Sequence, residues 1–90
     1  MEQKHVRNLV GPVVRKLRMD AGLSQEALAA RLQVAGWDIS RAGLSKIEAR
    51  LRLVNDAELV VLARVLKCGA VDLLPRRPGD LERVLRQGRG

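Results

Sequence analysis

The 90-residue sequence contains no tyrosine or phenylalanine, a single tryptophan and a single cysteine. Scarcity of aromatic residues disfavours a β-sheet, in which aromatic and β-branched side chains are enriched. One cysteine, Cys68, excludes an internal disulfide and fits a structural, buried thiol in a reducing compartment. No Cys/His cluster has the spacing of a zinc site, so the sequence predicts neither a metal site nor a cofactor.

Long hydrophobic runs are also missing. No stretch reaches the ~18 apolar residues that a membrane-spanning helix needs, and MEQKHVRNLV at the start lacks the apolar core of a signal peptide. We therefore expect a soluble cytoplasmic protein without membrane contact. Acidic residues are outnumbered, because 17 Lys and Arg against 10 Asp and Glu give a formal net charge of +7. A positive balance of this size favours a polyanionic partner but carries no information about the fold.

The length allows one small domain, and the Leu-, Val- and Ala-rich composition suits closely packed helices. Pro12 is well placed for the first turn of a helix, and the Pro78 region reads as a hinge. Beyond this hinge, Asp80 is suited to cap a short amphipathic helix that runs to Gln87. We expect a flexible basic arm, a compact domain and a C-terminal tail, at residues 1–10, 11–75 and 76–90.

Apolar residues at helical spacing, together with capping residues, predict five helices within the domain. Ser24 and Ser40 are suited to cap the second and third helices. Asn55 and Glu58 have the spacing of a capping box at the start of the fourth helix. The predicted helices are Pro12–Ala21, Gln25–Gln33, Arg41–Ala49, Asp56–Lys67 and Ala70–Leu74.

Three segments in order carry a resemblance to a known family: LRMDAGLSQEALAARL at 17–32, LSKIE at 44–48, and ELVVLARVL at 58–66 followed by AVDLL at 70–74. At this spacing they are similar to the Cro and phage-repressor family of helix-turn-helix proteins, also called the xenobiotic-response-element type. The resemblance implies an all-α, compact five-helix, lambda-repressor-like domain. It further implies that the third helix enters the major groove of operator DNA, usually from a symmetric dimer.

The resemblance also assigns residues. Gln25 matches the family glutamine that contacts a DNA phosphate and braces the recognition helix, which is physically reasonable at a helix N-terminus. Arg18 and Glu48 match a structural salt bridge between the first helix and the end of the third. The predicted DNA-binding residues are Ser24, Gln25, Ser40, Arg41, Ala42, Gly43, Lys46, Arg50 and Arg52.

Within the third helix, Arg41 is the best candidate for base readout, because its guanidinium can grip O6 and N7 of guanine. A phosphate contact and a solvated side chain are the alternatives. Lys46 reaches either DNA or only solvent, and Ala42 either touches a thymine methyl or serves as a helix former.

Charged residues outside this helix leave similar choices. Arg50 and Arg52 lie where the chain leaves the third helix, and there they either neutralise phosphates or belong to a solvated loop. Lys4, His5 and Arg7 either follow the DNA backbone or lie in a disordered tail, the second being the expectation.

The sequence departs from the family at three places. The connection Val34–Ile39 is longer than the usual turn and contains Trp37, which we expect to cover the core; a partner interface and the sugar-phosphate backbone are the alternatives. Gly43 replaces a common hydroxyl residue. Ala49-Arg50 replaces a frequent Asn-Gly, so we expect the third helix to end differently.

Apolar residues exceed what one small core needs. Either the tail folds back over the fourth helix, or the surplus forms a dimer or partner surface, or both. These residues are Val60, Val61, Val65, Leu81, Val84 and Leu85.

The sequence thus predicts a non-enzymatic, sequence-specific regulator of double-stranded DNA, a repressor acting as a homodimer. The alternative is a protein-interaction module, such as the antitoxin of a toxin–antitoxin pair, in which DNA binding serves autoregulation. No nucleophile–base pair, metal set or phosphate loop supports an enzyme.

Overall fold

The computed structural model describes residues 6–77 and 79–88, and it contains five α-helices and one 3-10 turn, with no strand among these residues. The all-α architecture expected from the sequence is confirmed. None of these helices is long and apolar enough to cross a bilayer. The elements are α1 (Gly11–Asp20), α2 (Gln25–Val34), α3 (Arg41–Glu48), α4 (Asp56–Leu66), the 3-10 turn (Ala70–Leu73) and α5 (Leu81–Gly88).

The starts of α2, α3 and α4 follow from side-chain caps. The Oγ atoms of Ser24 and Ser40 each accept a hydrogen bond of 3.0 Å from the backbone N–H three residues later. At α4, the Asn55 side chain accepts from the Glu58 N–H at 2.8 Å, and the Glu58 carboxylate accepts from the Asn55 N–H at 3.1 Å. These bonds satisfy backbone donors that the helices leave unpaired, and each of the three helices begins where the sequence predicts.

The ends of α1 to α4 share one closure, in which a residue of positive φ turns the chain back. In α3, the Arg50 N–H donates to the Ile47 carbonyl at 2.9 Å and the Leu51 N–H to the Lys46 carbonyl at 2.8 Å, a Schellman motif. The expectation that α3 ends differently is wrong, since an arginine takes the left-handed position that glycine usually takes. The four positive-φ residues are Gly22 (73°), Gly36 (104°), Arg50 (63°) and Lys67 (61°).

The core lies where α1 to α4 and the 3-10 turn meet. Trp37 is half-buried and packs against this core, as expected for a core cover. Cys68 is likewise half-buried against the core. The fully buried side chains are Val14, Leu28, Leu32, Leu44, Ile47, Leu62 and Leu73.

The segment before α1 belongs to the folded domain. Val6, Asn8 and Val10 are buried. The flexible arm predicted for residues 1–10 is therefore wrong for residues 6–10. Predictions for Lys4 and His5 concern residues outside the described part of the chain.

Asn8 is the residue that fixes this segment. Its side-chain oxygen accepts from the Gly11 N–H at 2.9 Å, at the start of α1. Its amide nitrogen donates to the Ile47 carbonyl at 3.1 Å and to the Arg52 carbonyl at 2.9 Å. One amide thus joins the N-terminal segment to the end of α3 and the loop beyond it.

The predicted fifth helix, Ala70–Leu74, is a 3-10 turn over Ala70–Leu73. An Asp72 carboxylate oxygen accepts from the Gly69 N–H at 2.8 Å and caps the turn. Four residues followed closely by Pro75 are too few to establish the α-helical hydrogen-bond ladder.

Candidate nucleic-acid interface

Helix α3 has one face in the core and one in solvent. Leu44 and Ile47 are fully buried, whereas Arg41, Ala42 and Lys46 are exposed. Ala42 and Lys46 are four residues apart and lie one above the other, and Arg41 lies next to Ala42 on the solvent side of the helix. The outer face therefore presents two cations and a methyl group together.

A polar network holds this face in place. The Arg18 Nε atom donates to Glu48 Oε2 at 2.7 Å, and Arg18 Nη2 donates to Glu48 Oε1 at 3.0 Å. This is the pairing between α1 and α3 that the family resemblance implies. The hydrogen bond to Glu48 raises the pKa of Arg18 above its ordinary value.

Gln25 extends the network to the outer face. Its Nε2 atom donates to Glu48 Oε1 at 3.0 Å, and its Oε1 atom accepts from Arg41 Nη1 at 3.4 Å. Because a carboxylate only accepts hydrogen bonds, Glu48 fixes the amide so that its oxygen points towards Arg41. Three helices thus contribute to the orientation of one exposed guanidinium.

The lengthened turn between α2 and α3 is packed against α3. Ile39 is buried, and its carbonyl accepts from Gln33 Nε2 at 2.6 Å. A β-carbon at Gly43 would lie 3.0 Å from Ile39 Cγ1, a tighter approach than ordinary contact. Gly43 therefore makes room for Ile39, and the DNA contact predicted for Gly43 stays a prediction.

A family model described as helix-turn-helix matches residues 14–73, two thirds of the chain. The chain belongs to the Cro/phage-repressor-like helix-turn-helix family. Comparison with curated proteins and with solved structures gives no match. In this helix-turn-helix protein α2 and α3 form the helix pair of the family, and DNA-binding regulation is the general function that the family supports.

Arg52 of this helix-turn-helix protein is held inside the domain. Its guanidinium carbon lies 5.9 Å from the centre of the Trp37 ring, within cation–π range. Its Nη2 and Nη1 atoms donate to the Glu58 carboxylate at 3.2 and 3.5 Å. Arg52 thus bridges the lengthened turn to the start of α4, and its contact with a DNA phosphate stays a prediction.

Arg50 is paired as well, with a residue of the tail. Its Nη1 atom donates to Asp80 Oδ2, and Arg83 Nη1 donates to Asp80 Oδ1 at 3.1 Å. The hydrogen bond from Arg50 holds the pKa of the Asp80 carboxyl below its usual range. No local sequence pattern indicated this pair, whose members are 30 positions apart.

The surplus apolar residues divide between core and surface. Val61 and Val65 are partly buried against the core. Val84 of α5 lines a groove of about 340 Å³ together with Leu59 of α4, and whether the tail covers the fourth helix stays a prediction. The apolar residues that stay exposed include Leu53 and Leu74, which line this groove, and Val60, Leu81 and Leu85.

Ser45 is a candidate that the sequence-based selection missed. It lies on α3 one turn after Arg41, and it is half-buried. Helical spacing from Arg41 was the available signal, but a serine inside a helix carries no obvious chemistry.

Two further observations concern chemistry. Burial raises the pKa of the Cys68 thiol, and the nearby Asp72 charge raises it further, so the thiol is protonated at neutral pH. Within residues 6–77 and 79–88, no group of three or more His, Cys, Asp and Glu side chains is arranged to hold a metal ion.

Proposed function

We propose that this helix-turn-helix protein is a sequence-specific repressor that binds an inverted-repeat operator in double-stranded DNA as a homodimer, acting in the cytoplasm. Helix α3 enters the major groove, and bound protein blocks the promoter by occupancy. The observation that carries this proposal is the network from the buried Arg18–Glu48 pair through Gln25 to the exposed Arg41.

Arg41 supplies the base contact in this proposal. A guanidinium held by Gln25 loses less side-chain entropy on binding than a free one, and its remaining donors are free to grip a guanine edge. Ala42 and Ser45 lie beside it on the same helix and add a methyl group and a hydroxyl. Lys46, exposed and one turn further on, contacts a phosphate.

The N-terminus of α2 supplies a second phosphate contact. The Ser24 Oγ atom already accepts from the Ala27 N–H, so the first backbone N–H groups of the helix, those of Gln25 and Glu26, face outward without an intrahelical acceptor. Amide groups at a helix N-terminus bind phosphate well. We assign the phosphate contact of Gln25 to its backbone, because its side chain is engaged with Glu48.

Exposed apolar side chains are the basis for proposing a homodimer. Val60 on α4 and Leu81 and Leu85 on α5 remain exposed. We infer that these side chains belong to one apolar surface, the kind of feature that marks an interaction site. A two-fold pairing through it would place two α3 helices on half-sites about 34 Å apart, one turn of DNA.

The test is enrichment from a random duplex-DNA library by the purified 90-residue protein at about 0.15 M salt, where non-specific phosphate binding is weak. We expect an inverted repeat whose half-site contains a guanine that Arg41 reads. Recovery of a single, non-repeated motif would contradict the dimer. Failure of folded protein to enrich any motif would contradict sequence-specific binding and would favour a protein partner for the exposed leucines.

A further inference from the structure

The loop after α3 contains two arginines, and each is paired with an acid from a different part of the chain. Arg52 pairs with Glu58, which also closes the capping box of α4. Glu58 therefore cannot leave Arg52 without disturbing the start of a core helix. Arg50 pairs with Asp80, which precedes α5 and lies outside the family-matched range 14–73.

The Arg50–Asp80 pair is open to competition from other anions. The two side chains are 31% and 25% exposed, whereas those of the buried Arg18–Glu48 pair are only 11% and 3% exposed. Water and ions therefore reach the first pair and not the second. An exposed pair is also weak in water, because solvent screens its attraction.

The tail that carries Asp80 is attached over a small surface. Of the three apolar residues on α5, Val84 lines the groove beside α4, while Leu81 and Leu85 are exposed. The described residues of the hydrophobic core all precede α5. Separation of the tail would therefore leave the core of α1 to α4 intact.

We propose that Asp80 competes with a DNA phosphate for the guanidinium of Arg50, so that the docked tail lowers the affinity of the domain for DNA. The inference rests on the proposed function, since it requires α3 to lie in the major groove. Arg50 is the second residue after α3, at the point where the chain leaves that helix. DNA binding and tail docking then require the same guanidinium group, that of Arg50.

Asp80→Asn tests this competition, because asparagine removes the charge, keeps the size and remains a good helix cap. Glu82→Gln is the matched control: it removes one negative charge from the same segment, and Glu82 pairs with Arg86 rather than with Arg50. Both variants raise the net charge equally. Any difference between them therefore reports the contact with Arg50 and not the overall field.

Each variant is titrated with the enriched operator between about 0.05 and 0.2 M salt. We expect D80N to bind about five- to ten-fold more tightly than wild type at 0.1 M salt, with a slope of log K against log salt that is more negative by about 0.9, the value of one phosphate contact. We expect E82Q to stay within about two-fold of wild type, since long-range charge is screened. Adding Arg50→Gln to D80N should remove the gain.

Equal behaviour of D80N and E82Q would overturn the competition, and so would a gain that survives in the R50Q/D80N variant. These outcomes leave operator binding by the wild type intact, so they are distinct from failure of the proposed function. Absence of binding by wild type and all variants would overturn both. Helicity and Trp37 fluorescence verify the fold, and Asp80→Ser, which also caps helices, is measured in parallel in case D80N does not fold.

Discussion

A β-carbon on Gly11 would overlap the carbonyl oxygen of Ile47. It would also lie 2.9 Å from the Glu48 carbonyl oxygen, closer than real β-carbon contacts come. The start of α1 and the end of α3 thus meet backbone to backbone, with Asn8 hydrogen-bonded to both. This contact sets the position of α3 relative to the rest of the domain.

Gly11→Ala is therefore expected to destabilise the protein. The clash involves backbone atoms, which cannot rotate away, so α1 and α3 must separate. We expect a loss of about 2–3 kcal/mol in the free energy of unfolding, the upper part of the range for overpacked sites. Urea denaturation followed by the fluorescence of Trp37 measures it.

Gly22→Ala provides the comparison for this variant. Gly22 has a φ of 73° but no atom within 4 Å of a β-carbon position, so its cost is conformational alone, about 1 kcal/mol. A loss at Gly11 no larger than the loss at Gly22 would show that the two helices do not approach as closely as described.

Glu48→Gln is expected to cost about 3–5 kcal/mol, because it leaves the buried Arg18 guanidinium without a counter-charge. Asp20→Asn is the control, since it removes one partner of the exposed Lys16–Asp20 pair and should cost less than about 0.5 kcal/mol. Urea denaturation of both variants gives the comparison. Similar losses for the two would mean that burial adds nothing to the Arg18–Glu48 pair.

Arg41→Ala and Lys46→Ala should affect DNA binding differently. We expect R41A to lose about 1–3 kcal/mol on the enriched operator and to discriminate less at one base pair, since it removes the base contact. We expect K46A to weaken operator and scrambled duplex alike and to lower the salt slope by about one contact. Measuring the affinity of each variant for both duplexes tests these two expectations.

Lys67→Ala is the control for these two variants, because Lys67 follows α4 and lies outside the proposed interface. If K46A, and not R41A, lost discrimination between base pairs, Lys46 would make the base contact and Arg41 the phosphate contact. Equal effects of all three variants would mean that these side chains contribute only non-specific charge to DNA binding.

Lys67→Gly is expected to stabilise the protein by about 0.5–1 kcal/mol. Lys67 is exposed and has a φ of 61°, a conformation that glycine adopts without the steric cost that a β-carbon imposes. Arg50→Gly relieves the same strain at 63° but gives up the Asp80 pair, so its gain should be smaller. Thermal unfolding compares them, with Lys67→Ala to isolate the side chain. A loss of stability in K67G would contradict the backbone explanation.

The Asp80 pair also predicts a dependence of stability on pH. The carboxyl pKa is lower in the folded state than in the unfolded chain, where it is about 3.9, because Arg50 donates a hydrogen bond to it. The pair therefore stabilises the fold above about pH 4, and this contribution disappears as the pH falls through the folded-state pKa. The difference in unfolding free energy between wild type and D80N should be constant from pH 7 to 5 and should shrink below about pH 4. A difference that is as large at pH 3 as at pH 6 would contradict the assignment.

Local signals predicted the helix starts correctly. Ser24, Ser40 and Asn55 each bond to a backbone N–H within their own first turn, so the information lies in four consecutive residues. The inward positions Leu44 and Ile47 were likewise predictable, because helical periodicity is a local property.

Distant contacts account for the failures. The burial of Asn8 depends on carbonyl groups 39 and 44 positions away, and no local pattern in residues 6–10 marks it. Arg50 and Asp80 are likewise far apart in the sequence. Arg52 and Glu58 are near in sequence, but their pairing requires Trp37 and the fourth helix to be in place. The sequence shows which residues are charged, but it does not show which acidic residue each arginine pairs with.

The packed segment before α1 shows that the family match and the folded domain begin at different residues. The family match begins at residue 14, yet Val6, Asn8 and Val10 are buried, and Gly11 seats α1 on α3. A fragment trimmed to 14–73 would lose the hydrogen bond from the Asn8 side chain to the Ile47 carbonyl and would leave the core open at one side. The region that matches the family is therefore shorter than the region that packs as one domain.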